Sequence, residues 1–266
     1  MTAQQEIKEI ASDDVIQYDI VSDHVVVIRI NRPKQKNAFD SATAKALEKA
    51  IDNYEADNNL RCAILTGSSD VFSAGQDLIA ASQGDMAVAP KRGPFGIMQK
   101  PPEKPIIAAI EGPALAGGME LSLSCDLAVA SRASIFGLPE ASRALLAIGG
   151  GLFRLSKRIP YHLAMEMALT GKPWSAEKMA ELGLVNRVTE PGEALAGAIE
   201  LANTISAAGP LAIKASKAII QQSSTWSDKE AWDKQMVIAK PVLESEDVLE
   251  GLKAFAEKRM PVWQGK

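Results

Sequence analysis

Histidine and cysteine are nearly missing from this chain, with two of each in 266 residues. Cys62 and Cys125 lie far apart, each inside an apolar stretch (CAILT and LSLSC). They read as buried reduced thiols of a soluble cytoplasmic protein rather than as a disulfide framework. His24 and His162 have no cysteine or acidic cluster around them at metal-ligand spacing, so each reads as a surface or packing residue and no metal is expected. No uncharged apolar run approaches the roughly 20 residues that span a bilayer, and the opening MTAQQEIKEIASDD lacks the apolar core of a signal peptide. Basic charge is not in excess either. Lys and Arg number 29 against 33 Asp and Glu, a formal net charge of −4, which speaks against a nucleic-acid partner. Neither a G-x-S-x-G elbow nor a P-loop occurs. Gly149-Gly150-Gly151 lacks the further spacing of a dinucleotide fingerprint and reads as a place where a helix N-terminus approaches another backbone.

What is present is an ordinary globular composition, 47% hydrophobic and 23% charged, in a chain long enough for a substantial core. The β-branched run VVVIRI stops just before Pro33 and predicts a strand ending in a turn. Asp40 can cap SATAKALEKAIDNYEAD, in which Ala46, Leu47, Ala50, Ile51 and Tyr54 recur at helical spacing. CAILTG and KPIIAAIEG read as buried strands, separated by the turn FSAGQD and a mobile-looking segment, ASQGDMAVAPKRGPFG. The order strand, Gly-rich turn, helix then recurs, which is α/β organisation with sites expected where strands hand over to helices. From about Pro160 the chain becomes mostly helical, with Ser175 and Ser227 as helix starts and Glu230 placed for a capping box. Residues 1–205 read as a core and residues 206–266 as a packed helical extension suited to oligomerisation. No repeat of fixed period is visible in the sequence.

One charged side chain stands out within GPALAGGMELSLSC. Glu120 sits among small and apolar neighbours, where ionisation costs free energy unless something compensates. Either it points outward or it has a chemical task. SAGQD predicts a short helix opening at Gln76, and ALAGGMEL another near Gly117. Backbone N–H groups at two such openings can hold developing negative charge on one oxygen, with glycine allowing close approach. Glu120 follows Gly117 by one helical turn, and Glu140, in FGLPEAS, follows a second strand-like segment and a proline. Taken singly, each is an ordinary carboxylate or tight turn. Asp126 reads as a structural turn or cap residue.

Taken together and in order, the motifs INRPKQKNAFD, FSAGQDL, PIIAAIEGPALAGGMELSLSCDLAVAS, FGLPE, LTGKPWSAEKMAELGLVNRV and EGLKAFAEKRMPVW resemble the crotonase (enoyl-CoA hydratase/isomerase) superfamily over essentially the whole chain. The resemblance implies a spiral of ββα turns with a C-terminal helical region that assembles homotrimers, often as dimers of trimers. It implies an acyl-CoA thioester substrate, with coenzyme A as part of that substrate and no other cofactor. The family's two oxyanion amides fall on Gln76 and Gly117, and its two hydratase glutamates on Glu120 and Glu140. Ala74, Gln76, Asp77, Leu78 and Ile79 match the turn along which relatives hold coenzyme A. Phe255 and Lys258 match positions that in relatives reach the ligand of a neighbouring subunit. The implied activity is hydration of a trans-2-enoyl-CoA, and Glu120 is then tolerated because it faces a water.

The chain departs from many hydratases after the second glutamate, where a Gly and then a Pro-Gly pair are replaced by Ala144, Ala147 and Ile148. Arg143, three residues from Glu140, is placed to pair with it and so to lower its pKa. The Gln76 side chain is placed to narrow the pocket, and the loop from Ala80 to Gly96 to shape it. FSAGQDL and EDVLEGLKAFAEKRMPVW resemble carnitinyl-CoA dehydratase, so dehydration of a substituted acyl-CoA stands beside hydration. A double-bond isomerase and a catalytically silent acyl-CoA-binding scaffold are further alternatives.

Overall fold

The computed structural model describes residues 14–266, so most of the polar opening stretch lies outside the described residues. Strands β1 (Ile16–Ser22) and β2 (Val25–Ile30) form an antiparallel hairpin. Helix α1 (Ser41–Ala56) follows, started by Asp40, whose carboxylate accepts the Thr43 N–H at 2.8 Å. Its Leu47, Ile51 and Tyr54 are fully buried, as their spacing predicts. Strand β3 (Cys62–Thr66) leads through the FSAGQD turn to α2 (Leu78–Ser82) and a short hairpin, β4 (Val88–Ala89) with β5 (Gly93–Pro94). Then come β6 (Ile106–Ile110), β7 (Pro113–Leu115), α3 (Gly117–Ser122), β8 (Leu127–Ser131) and β9 (Ile135–Gly137). Helices α4 (Gly151–Leu155) and α5 (Tyr161–Thr170), strand β10 (Trp174–Ser175), α6 (Ala176–Glu181), β11 (Arg187–Thr189) and α7 (Ala194–Ser206) complete the core.

The main sheet has the order β1-β2-β3-β6-β8-β11 and is parallel from β2 onward. Every residue of β3 and β6 is buried, because helices and turns cover both faces of this parallel sheet. Val25 and Val27 point to the face covered by α7, whereas Val26, Ile28 and Ile30 point into the larger core on the side of α1. Ala194, Ala198, Ala202 and Ser206 recur every four residues along α7 and let it lie close to the sheet.

A second, inner row of backbone pairing runs beside this sheet. It consists of the parallel bridges Phe39↔Gln76 and Ser73↔Ala114 and the parallel pair β7–β9, which β10 extends. Each outer strand (β2, β3, β6, β8) is thus followed by an inner strand or bridge and then a helix, a ββα turn repeated along a spiral. The repetition lives in backbone hydrogen bonds, which leave no periodic trace in the sequence.

Two sequence expectations change. The helix expected at Gln76 begins two residues later, because Gln76 is held extended in its bridge to Phe39 while the Asp77 carboxylate caps the N–H groups of Ile79 and Ala80, each at 3.1 Å. The mobile-looking stretch through Gly96 is ordered around buried Arg92, which is 4% exposed and bonds Asp52 and Glu55 of α1 at 2.8 and 3.2 Å. Glu48 of α1 adds a carboxylate that accepts the N–H groups of Lys91 and Arg92 at 2.8 and 2.7 Å.

Helices α8 (Pro210–Ser223), α9 (Asp228–Leu243) and α10 (Glu246–Glu257) follow α7. Ser227 opens α9 with Glu230 reaching back to its N–H at 3.0 Å, and Ser175 caps α6. No residue of α8 or α9 is buried, so these helices attach through particular contacts. Lys217 reaches Asp126 Oδ2 at 2.6 Å, and the final segment is strapped on by Trp263 Nε1 donating to Ala207 O at 2.8 Å and by the Asp247 carboxylate accepting the Gln264 N–H at 2.7 Å. Asp126 also accepts the Ile106 N–H, which makes it the structural residue expected. No described helix is long and apolar enough to cross a membrane. Cys62 and Cys125 are buried and free, and burial pushes both thiols up to about 12.

Candidate active site

The site begins where two inner-row bridges end. Phe39 takes the Asp77 N–H and gives its own N–H to Gly75 O, both at 2.8 Å, which turns the intervening Gln76 N–H away from Phe39. Gly75 has φ +95°, and a Cβ there would lie 2.7 Å from Gly117 N, so the backbones of the two Gly-rich turns are in direct contact. Gly117 begins α3, as expected, and Ala116 before it takes φ 52°, an uncommon conformation for a residue with a side chain. Among the described residues no backbone carbonyl accepts the N–H of Gln76 or of Gly117 through a turn or loop hydrogen bond. Two amides side by side in this way can donate to one oxygen.

One turn beyond Gly117, Glu120 is 5% exposed, and its Oε1 accepts the Gly151 N–H at 2.8 Å. Burial raises its pKa to about 7; the charge of Glu140 adds to the rise, while the amides of Gly151 and Gly149 and the Arg154 guanidinium oppose it. Glu140 lies in the 3-10 turn Pro139–Arg143, and its buried Oε2 has no hydrogen-bond partner. Burial raises its pKa as well. Arg143 is exposed and acts on Glu140 only as a nearby charge too weak to offset burial, so the expected lowering by pairing is corrected. Two carboxylates with raised pKa values, one influencing the other, are equipped to move protons near neutral pH.

The glycine triplet plays a part that the sequence did not reveal. A Cβ on Gly149 would lie 2.8 Å from Glu120 Oε2, and one on Gly151 2.9 Å from Glu120 Cγ, so these glycines make room for a carboxylate rather than for another backbone. Arg154 of α4 was also missed. It donates to Gly149 O at 3.1 Å and to Met98 O, which fixes the turn against Glu120; nothing in the pattern GLFRL distinguishes it. At the departures in 144–148, Ala144 adopts the left-handed φ of 53° that glycine takes without strain, Ala147 is buried, and Ile148 is 78% exposed.

The remaining candidates fall in two places. Ala74 and Asp77 are half-buried beside Gln76, and Leu78 and Ile79 are exposed at the start of α2. The Asp77 carboxylate is committed to capping α2 and to Arg32 at 3.3 Å, an arginine that also pairs with Asp40 at 2.9 Å and so ties the starts of α1 and α2 together. The Gln76 side chain folds toward the segment 85–87. Phe255 is exposed on α10, and Lys258 ends that helix in the left-handed conformation.

The fold and the site define a class: a ββα spiral that sets two unpaired backbone amides beside buried Glu120 and half-buried Glu140. The sequence profile described as enoyl-CoA hydratase/isomerase matches residues 21–266. The chain is 38% identical over 250 residues to enoyl-CoA hydratase EchA19 of Mycobacterium tuberculosis, a match covering 91% of this chain and 94% of that protein. It is 40% identical over 251 residues to carnitinyl-CoA dehydratase of Salmonella typhi, with 91% and 95% covered. Among solved structures it is similar to an enoyl-CoA hydratase from Mycobacterium tuberculosis H37Rv, with a TM-score of 0.92 and 50% identity over 95% of this chain and 99% of that one. This chain belongs to the enoyl-CoA hydratase/isomerase family, and its fold is the crotonase-like spiral.

Proposed function

We propose that the protein is an enoyl-CoA hydratase, adding water syn across the double bond of a trans-2-enoyl-CoA thioester to give a 3-hydroxyacyl-CoA. The observation that carries this reading is the pair Glu120 and Glu140, both raised in pKa by burial, on turns adjoining the unpaired amides of Gln76 and Gly117. The thioester oxygen accepts both N–H groups, and charge arriving at the α-carbon spreads onto it; one such donor is worth roughly 3 kcal/mol. Glu120 takes a proton from the water as its oxygen bonds the β-carbon, and the π pair moves toward the α-carbon, which takes a proton from Glu140. A proton passing from Glu120 back to Glu140 resets the pair. The charge of Glu140 raises the pKa of Glu120, so the protonation of one bears on the other.

Coenzyme A runs along Ala74, Gln76, Asp77, Leu78 and Ile79, where exposed Leu78 and Ile79 offer apolar surface and the occupied Asp77 carboxylate leaves its backbone as the contact. Phe255 and Lys258 reach the ligand of a neighbouring subunit in a homotrimer or dimer of trimers, with residues 206–266 as the oligomerisation region. Dehydration of a substituted 3-hydroxyacyl-CoA is the second reading, favoured by the 40% identity to a carnitinyl-CoA dehydratase, and it runs the same proton transfers in reverse.

The test is hydration of short and medium trans-2-enoyl-CoA thioesters by wild type, Glu120→Gln and Glu140→Gln, with thioester binding measured for each. Turnover is expected to fall by about 10² to 10⁴ in both variants while binding survives. A wild type that binds but turns over none of these thioesters overturns the hydratase reading, and a substituted hydroxyacyl thioester then separates the dehydratase from a silent binder.

A further inference from the structure

Gln76 has two ends that face different tasks. Its backbone N–H is one of the two unpaired amides, while its carboxamide is turned into the protein and fully engaged. Nε2 lies 3.2 Å from Phe39 O, 3.1 Å from Asp77 O and 3.4 Å from Asp85 O, and Oε1 accepts the Ala87 N–H at 3.1 Å. The chain of contacts continues beyond Ala87. The Ala87 carbonyl accepts the Phe95 N–H at 2.8 Å, and the Phe95 ring stacks on Phe39 with centroids 4.4 Å apart. The same ring presses on Gly117, where a Cβ would lie 2.6 Å from Phe95 Cζ. Phe95 holds φ 54° in this position, a strained conformation that the surrounding contacts must maintain. The path therefore leaves one unpaired amide through the side chain of Gln76, crosses the segment 85–95, and arrives at the other.

We propose that the Gln76 carboxamide is a positioning residue. It clasps the segment 85–95 to both amide-bearing turns, so that the donors to the thioester oxygen and the wall formed by this segment are set together. The proposal rests on the reading of Gln76 and Gly117 as the thioester-oxygen donors. Met86 and Val88 project from the clasped segment, 52% and 49% exposed, so an acyl group bearing on these apolar side chains acts on the amides through Ala87. The clasp also explains why a segment rich in Gly, Pro and polar residues is ordered on the side of the turn, as Arg92 orders it on the side of α1. A glutamine does this where a shorter or apolar side chain does not, because only a carboxamide of this reach both donates to the carbonyls and accepts from Ala87.

Gln76→Met keeps the length and removes every polar contact; Gln76→Ala serves as a second variant with no long side chain to misplace. Hydrogen exchange of the 84–88 peptide is followed in wild type and variants, together with the carbonyl stretching frequency of a bound enoyl-CoA thioester and steady-state hydration. Exchange of this peptide is expected to quicken about tenfold or more. The carbonyl band moves back toward its frequency in water, and kcat drops by about ten- to a hundredfold while KM changes by less than about threefold. Unchanged exchange, or faster exchange with an unshifted carbonyl band, overturns the clasp. If wild type turns over no enoyl thioester the hydratase reading fails by itself, and the exchange and carbonyl readings still decide the clasp.

Discussion

Glu120 is placed where a carboxylate is costly. Among Met119, Leu121 and the glycines of two turns it is 5% exposed, and its pKa of about 7 stands well above the ordinary 4.5. A carboxyl group whose pKa is higher in the folded chain than in the unfolded one binds its proton more tightly when folded, so stability declines as pH rises from about 4.5 through about 7. The charged form above that window weighs against folding by on the order of 3 kcal/mol. Glu120→Gln removes the ionisation and keeps an oxygen to accept the Gly151 N–H. It is expected to resist urea better than wild type at pH 8, with the advantage shrinking at pH 5, and a wild type that is the more stable at pH 8 would show that burial does not govern this group. On the proposed mechanism Glu120 is a catalytic group held at the expense of stability, the usual trade in an active site. Glu140 adds a second measurable consequence: because its charge raises Glu120, Glu140→Gln should lower the apparent pKa of Glu120 followed by its carboxyl infrared band.

The elements that bring these residues together were legible in unequal measure. Strands β2, β3 and β6 are β-branched or apolar runs, and α1, α6 and α9 carry their own caps at Asp40, Ser175 and Ser227, so local chemistry specifies them. The segment through Gly96 was misread because its order comes from Arg92 reaching carboxylates on α1 from 40 and 37 residues away, which no local pattern encodes. The role of Gly151 was hidden for the same reason, its partner Glu120 being 31 residues earlier. The contact between the two Gly-rich turns is the most demanding of these arrangements. Gly75→Ala puts a side chain at φ +95° and 2.7 Å from Gly117 N, so the two amides are forced apart. A loss of about 1–3 kcal/mol in stability and of about 10²-fold in kcat is expected. Gly183, at φ +80° with nothing within 4 Å of an added Cβ, is the control: Gly183→Ala carries the conformational cost alone, and equal effects of the two substitutions on kcat would remove the contact from the argument.

At the scale of the whole molecule, apolar side chains stand without cover in several places among the described residues, α9 among them with Trp232 and Val237 at 72% and 76% exposed, and two faces stand out. One runs along α10 and the closing segment, where Leu249, Leu252, Phe255 and Met260 are 66–86% exposed. The other lies around the turn after Glu140 and along α4 and α5, where Leu146, Ile148, Phe153 and Leu169 are 59–78% exposed. Isolated chains seldom leave so many large apolar side chains in water. Two unlike faces on one chain associate head to tail, and such a contact closes into a ring when the rotation allows, in keeping with the homotrimer proposed above. The helices carrying the first face contribute little to the monomer's core, since α8 and α9 bury no residue and α10 only Asp247 and Ala254. Charging that face should therefore separate assembly from folding. Leu252→Asp with Phe255→Asp is expected to sediment as a monomer with an unchanged far-ultraviolet circular dichroism spectrum, whereas wild type sediments as a trimer or dimer of trimers. If Phe255 and Lys258 of one copy reach the ligand of the next, as proposed, hydration activity falls with the assembly; a double variant that keeps the wild-type mass would take α10 out of the interface and leave the second face to find another partner.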